Sequence, residues 1–129
     1  MRKLLAATLL SFVLTSCSDS ATDVVELTSG RAFQPGTIIV PVGEVVTFEN
    51  ASDEAHTVTA YEDEIPEGAD YFASGDFRSE EAARSDLSAG LIDAGENYEV
   101  SFTAAGTYGY FCIPHEEQGM VGTIVVEAK

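Results

Sequence analysis

Short segments in which hydrophobic and polar residues alternate recur along the chain from residue 24 onward. They favour β-branched and aromatic residues, and Gly, Pro, Asn or Asp separates most of them, which is typical of strands joined by turns. Seven strands are predicted in this way: Val24–Thr28, Thr37–Val42, Glu44–Glu49, His56–Tyr61, Asn97–Phe102, Thr107–Cys112 and Gly122–Glu127. Several short strands at this spacing predict a β-sandwich or barrel.

The stretch Glu62–Asp93 departs from this pattern, because it is polar and too long for a plain connection between strands. Within it, Ser79–Arg84 predicts a helical turn, with Ser79 as the N-terminal cap and two acids in the first turn. The chain is therefore expected to be all-β with one long, partly helical insertion.

Composition limits the possible classes of protein. With 129 residues, 45% of them hydrophobic, the chain can form one compact core. Only 6 Lys and Arg stand against 22 Asp and Glu, which gives a formal charge of −16 and excludes binding to a nucleic acid backbone. The 2 histidines are too few for a multinuclear copper cluster.

The N-terminus has the pattern of an export signal. Arg2 and Lys3 precede the apolar run Leu4–Leu14, which is too short to span a bilayer. The following Leu14-Thr15-Ser16-Cys17 resembles the bacterial lipobox, in which the Cys is lipidated and becomes the first residue after cleavage. An ordinary secretory signal with an incidental Cys is the alternative, and either reading predicts export.

The expected organisation is thus a lipoprotein signal peptide at 1–16, the lipidated Cys17 with a polar tether at 17–23, and one domain at 24–129. The lipid would anchor the protein to a membrane, with the domain facing the periplasm or the cell surface. Removal of residues 1–16 would change the charge to 4 − 22 = −18.

Donor atoms that suit copper are concentrated near the C-terminus. Cys112, His115 and Met120 fall within nine residues between two predicted strands. Thiolate and thioether are soft ligands and imidazole binds copper in either oxidation state, so this set favours copper. A trigonal centre of two His and one Cys with a weak axial Met is the blue-copper arrangement. His56 is the only other histidine of the chain.

The chain from about Val24 to Lys129 resembles the small cupredoxins of the plastocyanin, amicyanin and halocyanin kind. The resemblance rests on two motifs: Val46-Thr47-Phe48-x-Asn50 followed by His56, and Gly106-Thr107-Tyr108-x-Tyr110-x-Cys112-x-x-His115-x-x-x-x-Met120-x-Gly122. It implies an eight-stranded Greek-key sandwich, one type 1 copper ion per chain and single-electron transfer. Its implied ligands are the Cys112 thiolate, the imidazoles of His56 and His115, and Met120 in the axial position.

This ligand set leaves no position open for a substrate or water, unlike a catalytic metal site, so a carrier and not an enzyme is expected. Two alternatives use the same ligands: a periplasmic copper-binding or copper-delivery protein without electron shuttling, and a structural zinc module. A disulfide between Cys17 and Cys112 is a further alternative for the two cysteines.

Three departures from the family pattern lead to expectations. Thr57 follows the first His where the family often has Asn, and its hydroxyl is expected to brace the ligand loop in place of the amide. The insertion is longer than in the smallest members. Glu116 and Glu117 are expected to border the surface at which the His115 edge is exposed.

Pro114 has no N–H, so Thr57 is expected to be the only main-chain donor to the Cys112 sulfur.

The expected partners follow from charge and from the N-terminal signal. They are redox proteins with a basic docking face, such as a cytochrome or a copper or haem oxidoreductase. The membrane is contacted through the anchor at Cys17, and the protein is expected to be a monomer.

Overall fold

The computed structural model describes residues 23–129, in which two four-stranded sheets form a sandwich. The strands are β1 (Val24–Leu27), β2 (Phe33–Gln34), β3 (Thr37–Pro41), β4 (Val45–Asn50), β5 (Thr59–Ala60), β6 (Asn97–Ser101), β7 (Gly106–Phe111) and β8 (Val121–Glu127). One sheet has the order β2-β1-β4-β6 and the other β3-β8-β7-β5. The expected eight-stranded cupredoxin-like sandwich is confirmed.

Both sheets join strands that are distant in sequence. β1 pairs in parallel with β4, and β3 pairs in parallel with β8, whereas the other strand pairs are antiparallel. β7 lies between β8 and β5, so the end of β7 is at the interior of its sheet. The residues that follow β7 therefore begin at the end of a strand that is hydrogen-bonded to a neighbour on both sides.

The alternation of hydrophobic and polar residues in the sequence corresponds to alternating buried and more exposed positions along the strands. β4 buries Val46, Phe48 and Asn50, and β8 buries Gly122, Ile124 and Val126. The Tyr110 ring contacts the Phe48 ring edge-on, at a centroid distance of 5.3 Å. A Cβ atom at Gly122 would overlap this tyrosine ring, so the close approach of β7 and β8 requires glycine there.

Six of the seven predicted strands are confirmed to within one residue at each end. The prediction of a strand at His56–Tyr61 is wrong for its first half, because the strand covers only Thr59–Ala60. His56 instead forms an isolated bridge with Ile92. The N–H of Thr57 points to a cysteine sulfur and that of Val58 to a serine hydroxyl, so neither joins a ladder. β2 was not predicted, since two residues are too few to show alternation.

The insertion is partly helical, as expected. It contains a 3₁₀ turn at Glu62–Glu64 and the helices α1 (Glu80–Ser85) and α2 (Leu87–Gly90). The hydroxyl of Ser79 accepts a hydrogen bond from the N–H of Ala82 at 3.1 Å, which confirms the predicted cap of α1. The separate helix α2 was not predicted.

Between residues 23 and 129, no helix is long and apolar enough to cross a membrane. The predicted signal peptide and Cys17 lie outside the described residues.

Candidate metal centre

Three of the four predicted ligands converge on one buried point. The Nδ1 atoms of His56 and His115 lie 3.1 Å apart, and they lie 3.7 and 3.4 Å from Cys112 Sγ. Donors that share one metal ion at about 2.0–2.3 Å lie about 3–4 Å from one another. The three donor atoms therefore form a triangle of the size that a single trigonal metal ion requires.

Cys112, His115 and Met120 reach this point because they follow β7 in one tight loop. Cys112 directly follows the strand, His115 lies in the 3₁₀ helix Ile113–Gln118, and Met120 directly precedes β8. The N–H of Cys112 donates to the Met120 carbonyl at 3.0 Å, and the N–H of Met120 donates to the His115 carbonyl at 3.2 Å. The fully buried Met120 thus belongs to the same closed loop as the two other residues.

Gly119 ends the 3₁₀ helix in the left-handed conformation, with φ of 83°. Glycine adopts this conformation without a steric penalty, so the chain can turn from the helix into Met120 and β8. Its N–H donates to the carbonyl of Glu116.

His56 is fixed by uncharged hydrogen bonds. Its Nε2 lies 2.9 Å from Ser52 Oγ, and the Ser52 hydroxyl also lies 2.7 Å from Asn50 Oδ1. The amide nitrogen of Asn50 donates to the carbonyls of Glu54 and Ile92 at 2.7 and 2.9 Å. Since Nε2 is engaged by a hydroxyl, Nδ1 is directed at the sulfur and the ring orientation is set.

His115 has a different environment. It is 8% exposed, and its Nε2 lies 3.7 Å from Glu54 Oε2. The same carboxylate pairs with Arg31, whose Nε and Nη2 donate to its two oxygens at 3.1 and 2.9 Å. The outer edge of His115 is therefore bordered by an ion pair.

Thr57 connects the two ligand segments in two ways. Its N–H donates to Cys112 Sγ at 3.4 Å, and its hydroxyl accepts a hydrogen bond from the N–H of Ile113 at 2.8 Å. The N–H of His115, which donates to the Cys112 carbonyl, also lowers the pKa of this thiol, so Thr57 is not the only main-chain group that acts on the sulfur. The expected brace from the Thr57 hydroxyl is confirmed.

Burial shifts the ionisation of all three donors. It lowers the pKa of His56 and of His115, which keeps both imidazoles neutral and free to bind a metal at neutral pH. Burial raises the pKa of the Cys112 thiol, against the opposing effect of the Thr57 N–H. Metal binding at this site therefore releases the thiol proton.

The sequence did not reveal the roles of Ser52, Glu54 and Arg31. Ser52 lies two residues after Asn50, and its N–H donates to Asn50 Oδ1, as in a turn closed by an asparagine side chain. That spacing was the available signal for Ser52. Arg31 and Glu54 are 23 residues apart, and nothing local marks them as a pair.

The structure adds detail for Glu116 and Cys112. The carboxylate of Glu116 is a paired charge, because it binds Arg84 and Tyr61. Cys112 is a buried free thiol. Its alternative partner, Cys17, lies outside the described residues.

Comparison with known proteins agrees with this site. The sequence profile of "Copper binding proteins, plastocyanin/azurin family" matches residues 21–127. Plastocyanin B'/B'' of Nicotiana tabacum is 44% identical over 97 residues, which cover 75% of this chain and 89% of that protein. Plastocyanin of Scenedesmus fuscus is 39% identical over 95 residues, which cover 74% of this chain and 86% of that protein.

Solved structures give the same answer. Pseudoazurin from Methylobacterium extorquens AM1 superposes with a TM-score of 0.59 at 25% identity, covering 82% of this chain and 75% of that one. A mutant amicyanin in its Cu(I) form also gives a TM-score of 0.59 at 25% identity, with 81% and 80% of the two chains covered.

The fold and the donor set together define a small blue-copper protein, a cupredoxin. The chain belongs to the plastocyanin/azurin family of copper-binding proteins. The relatives indicate a type 1 copper electron carrier.

Proposed function

We propose that His56, Cys112, His115 and Met120 bind one copper ion and that the protein carries single electrons between redox partners at the outer face of a membrane. The observation that carries the proposal is the triangle of two Nδ1 atoms and one Sγ, all within 4.8 Å of one another. A thiolate beside two imidazoles, with a buried thioether in the same loop, is a donor set that suits copper.

Copper supplies the redox chemistry, since it gains and loses one electron between Cu(II) and Cu(I). The protein's contribution is a donor arrangement that changes little on reduction. His56 is held by Ser52 and by its bridge to Ile92, and Cys112 and Met120 are paired through their backbones. A rigid arrangement lowers the reorganisation that accompanies each transfer.

His115 is the proposed point of electron exit and entry. It is the one of the two histidines with an exposed edge, and Pro114 beside it is exposed while Ile113 is half-buried. A partner that docks on this surface comes close to a ligand, whereas His56 is fully buried. In this role the protein is a carrier and not an enzyme.

The docking partner is proposed to be cationic. After residue 16 the sequence contains 4 Lys and Arg against 22 Asp and Glu, so the charge is 4 − 22 = −18. We predict that the rate of electron exchange with a basic cytochrome falls on the order of tenfold or more between ionic strengths of about 0.01 M and about 0.15 M. Stopped-flow kinetics measure this rate, and a flat dependence would contradict a cationic docking face.

A copper-delivery protein is the second candidate, and the same buried donors favour the carrier over it. A cargo ion has to leave, whereas these donors are closed in by the core and by the loop. Stopped-flow mixing of the reduced protein with an oxidised basic cytochrome distinguishes them. A carrier returns the Cu(II) absorption with copper retained on the chain, and a delivery protein loses copper without reducing the cytochrome.

Export and anchoring at Cys17 are part of the same proposal, which rests on the N-terminal pattern. The tether at 17–23 would hold the domain at 24–129 close to the membrane surface. Mass spectrometry of the protein from a bacterial host tests this, with Cys17→Ser as the comparison. Wild type is expected in the membrane fraction with a lipid-modified Cys17, and an unmodified soluble wild type would refute the anchor.

A further inference from the structure

A group of side chains beside the ligand loop is not explained by metal binding itself. It consists of Tyr61, Glu80, Arg84, Phe111 and Glu116, and we call it the Arg84 cluster. Arg84 Nη1 and Nη2 donate to the two carboxylate oxygens of Glu116 at 2.7 and 3.1 Å. Arg84 Nε and Nη2 donate to Glu80 Oε1 at 2.9 and 2.7 Å. One guanidinium thus binds two carboxylates.

The two aromatic residues of the Arg84 cluster contact its charged residues. Cζ of Arg84 lies 4.3 Å from the centroid of the Phe111 ring, and the Tyr61 ring stacks on Phe111 at a centroid distance of 4.2 Å. The Tyr61 hydroxyl donates to Glu116 Oε1 at 3.1 Å. Phe111 is fully buried under these contacts.

The cluster joins three segments that are far apart in sequence. Tyr61 follows β5, Glu80 and Arg84 belong to α1 of the insertion, and the remaining two members flank metal ligands. Phe111 directly precedes Cys112, and Glu116 directly follows His115. The insertion is therefore connected to the ligand loop at Glu116 and to the end of β7 at Phe111.

The ion pairs of Arg84 are partly exposed, but their geometry allows them to contribute to stability. The side chains of Arg84, Glu80 and Glu116 are 38%, 21% and 32% exposed. Isolated exposed ion pairs contribute little to stability, but bidentate arginine–carboxylate contacts within a network are the exception. The hydrogen bonds from Arg84 lower the pKa of Glu116, and burial raises the pKa of Tyr61 to about 12. At neutral pH the carboxylate is charged and the phenol keeps its proton.

We propose that Arg84 is a positioning residue for electron transfer. By fixing Glu116 and covering Phe111, it holds the His115 end of the ligand loop in the same geometry in both oxidation states. This inference rests on the proposed function. The electron transfer step itself, Cu(II) plus one electron to Cu(I), moves no proton at Arg84 and breaks no bond there. Without the cluster, the ligand loop would move when the oxidation state changes, and this movement would increase the reorganisation energy of each electron transfer.

The test compares two arginine variants of the copper-loaded mature chain. Arg84→Gln removes the cluster, and Arg78→Gln is the matched control, because Arg78 is exposed and lies outside the cluster. Exchange of the amide hydrogens of Ile113 and of residues 115–118 is measured in the reduced protein, and electron self-exchange is measured by NMR at high ionic strength, where charge effects are screened. Arg84→Gln is expected to accelerate amide exchange in this helix about tenfold and to slow self-exchange severalfold.

Arg84→Lys keeps the positive charge but cannot form the bidentate contact, so its amide exchange is expected to remain close to that of Arg84→Gln. If Arg84→Gln matches Arg78→Gln in both measurements, the inference is wrong. If Arg84→Gln does not fold, Tyr61→Phe removes one hydrogen bond to Glu116 and keeps the ring. A rise in exchange of the Glu116 and Glu117 amides then supports the inference, and no rise refutes it.

Failure of the proposed function is a separate result. If wild type binds no copper, the electron-carrier proposal fails, whereas the amide exchange comparison on the same chain still decides whether Arg84 fixes the loop.

Discussion

The two histidines of the metal centre face the sulfur in the same way but are held by opposite chemistry. His56 is fully buried and is braced by Ser52 and Asn50, which are uncharged. His115 reaches the surface and is bordered by the Glu54–Arg31 ion pair. Neutral hydrogen bonds inside the sandwich supply rigidity, whereas charges at the surface respond to salt and to a partner. The first histidine thus fixes the site, and the second connects it to the outside.

The largest effect is expected on the His56 side. Asn50→Ala removes the donor to the Glu54 and Ile92 carbonyls and the acceptor for Ser52; the contacts to Ile92 and Ser52 are buried, and the contact to Glu54 is partly buried. We expect the free energy of unfolding to fall by about 2–4 kcal/mol, because buried polar groups lose their partners. Denaturant unfolding of the copper-loaded protein measures this value. A loss as small as that of a surface substitution would break the contrast between the two sides.

An intermediate effect is expected at Cys112, between the two histidines. The His56 side supplies one N–H to the sulfur, from Thr57, and on the His115 side Pro114 has none to give. Pro114→Ala should add a further donor, which stabilises Cu(I) by about 1 kcal/mol and raises the reduction potential by on the order of 40 mV. Cyclic voltammetry measures the potential. An unchanged or lower value in a variant that stays blue would refute this explanation.

The smallest effect is expected at the charges around His115. Glu54→Gln removes a negative charge and should raise the reduction potential slightly, whereas Arg31→Gln removes a positive charge and should lower it. Both shifts are expected to be below about 40 mV and to shrink as salt is added, because the pair is partly exposed. Voltammetry over a salt series distinguishes them. Shifts of the same sign in both variants would contradict an electrostatic role for the pair.

The strands of the sandwich were predictable from local pattern, since each has one buried and one exposed face. β4 and β8 show this alternation clearly, and their bounds were predicted to within one residue. The local pattern failed at His56, where the backbone turns away from strand geometry to direct Thr57 at the sulfur. A departure from a local rule therefore coincided with the metal site.

The ligands themselves were predictable from donor chemistry, because Cys112, His115 and Met120 lie in one loop and the chain has only one other histidine. Their supports were less accessible. The Arg31–Glu54 and Arg84–Glu116 pairs join residues 23 and 32 positions apart, and sequence spacing carries no information about such contacts. Lipidation at Cys17 stays a prediction.

The central claim is that one copper ion binds to His56, Cys112, His115 and Met120. It is tested most directly by titrating the metal-free mature protein with Cu(II) while recording absorption and EPR, with Cys112→Ser and Met120→Leu as variants. We predict an intense blue absorption that saturates at one copper per chain and bleaches reversibly on reduction. The blue colour should be lost in Cys112→Ser and retained with a changed potential in Met120→Leu. A wild type that stays colourless and redox-silent, or that binds Zn²⁺ alone, would contradict the claim.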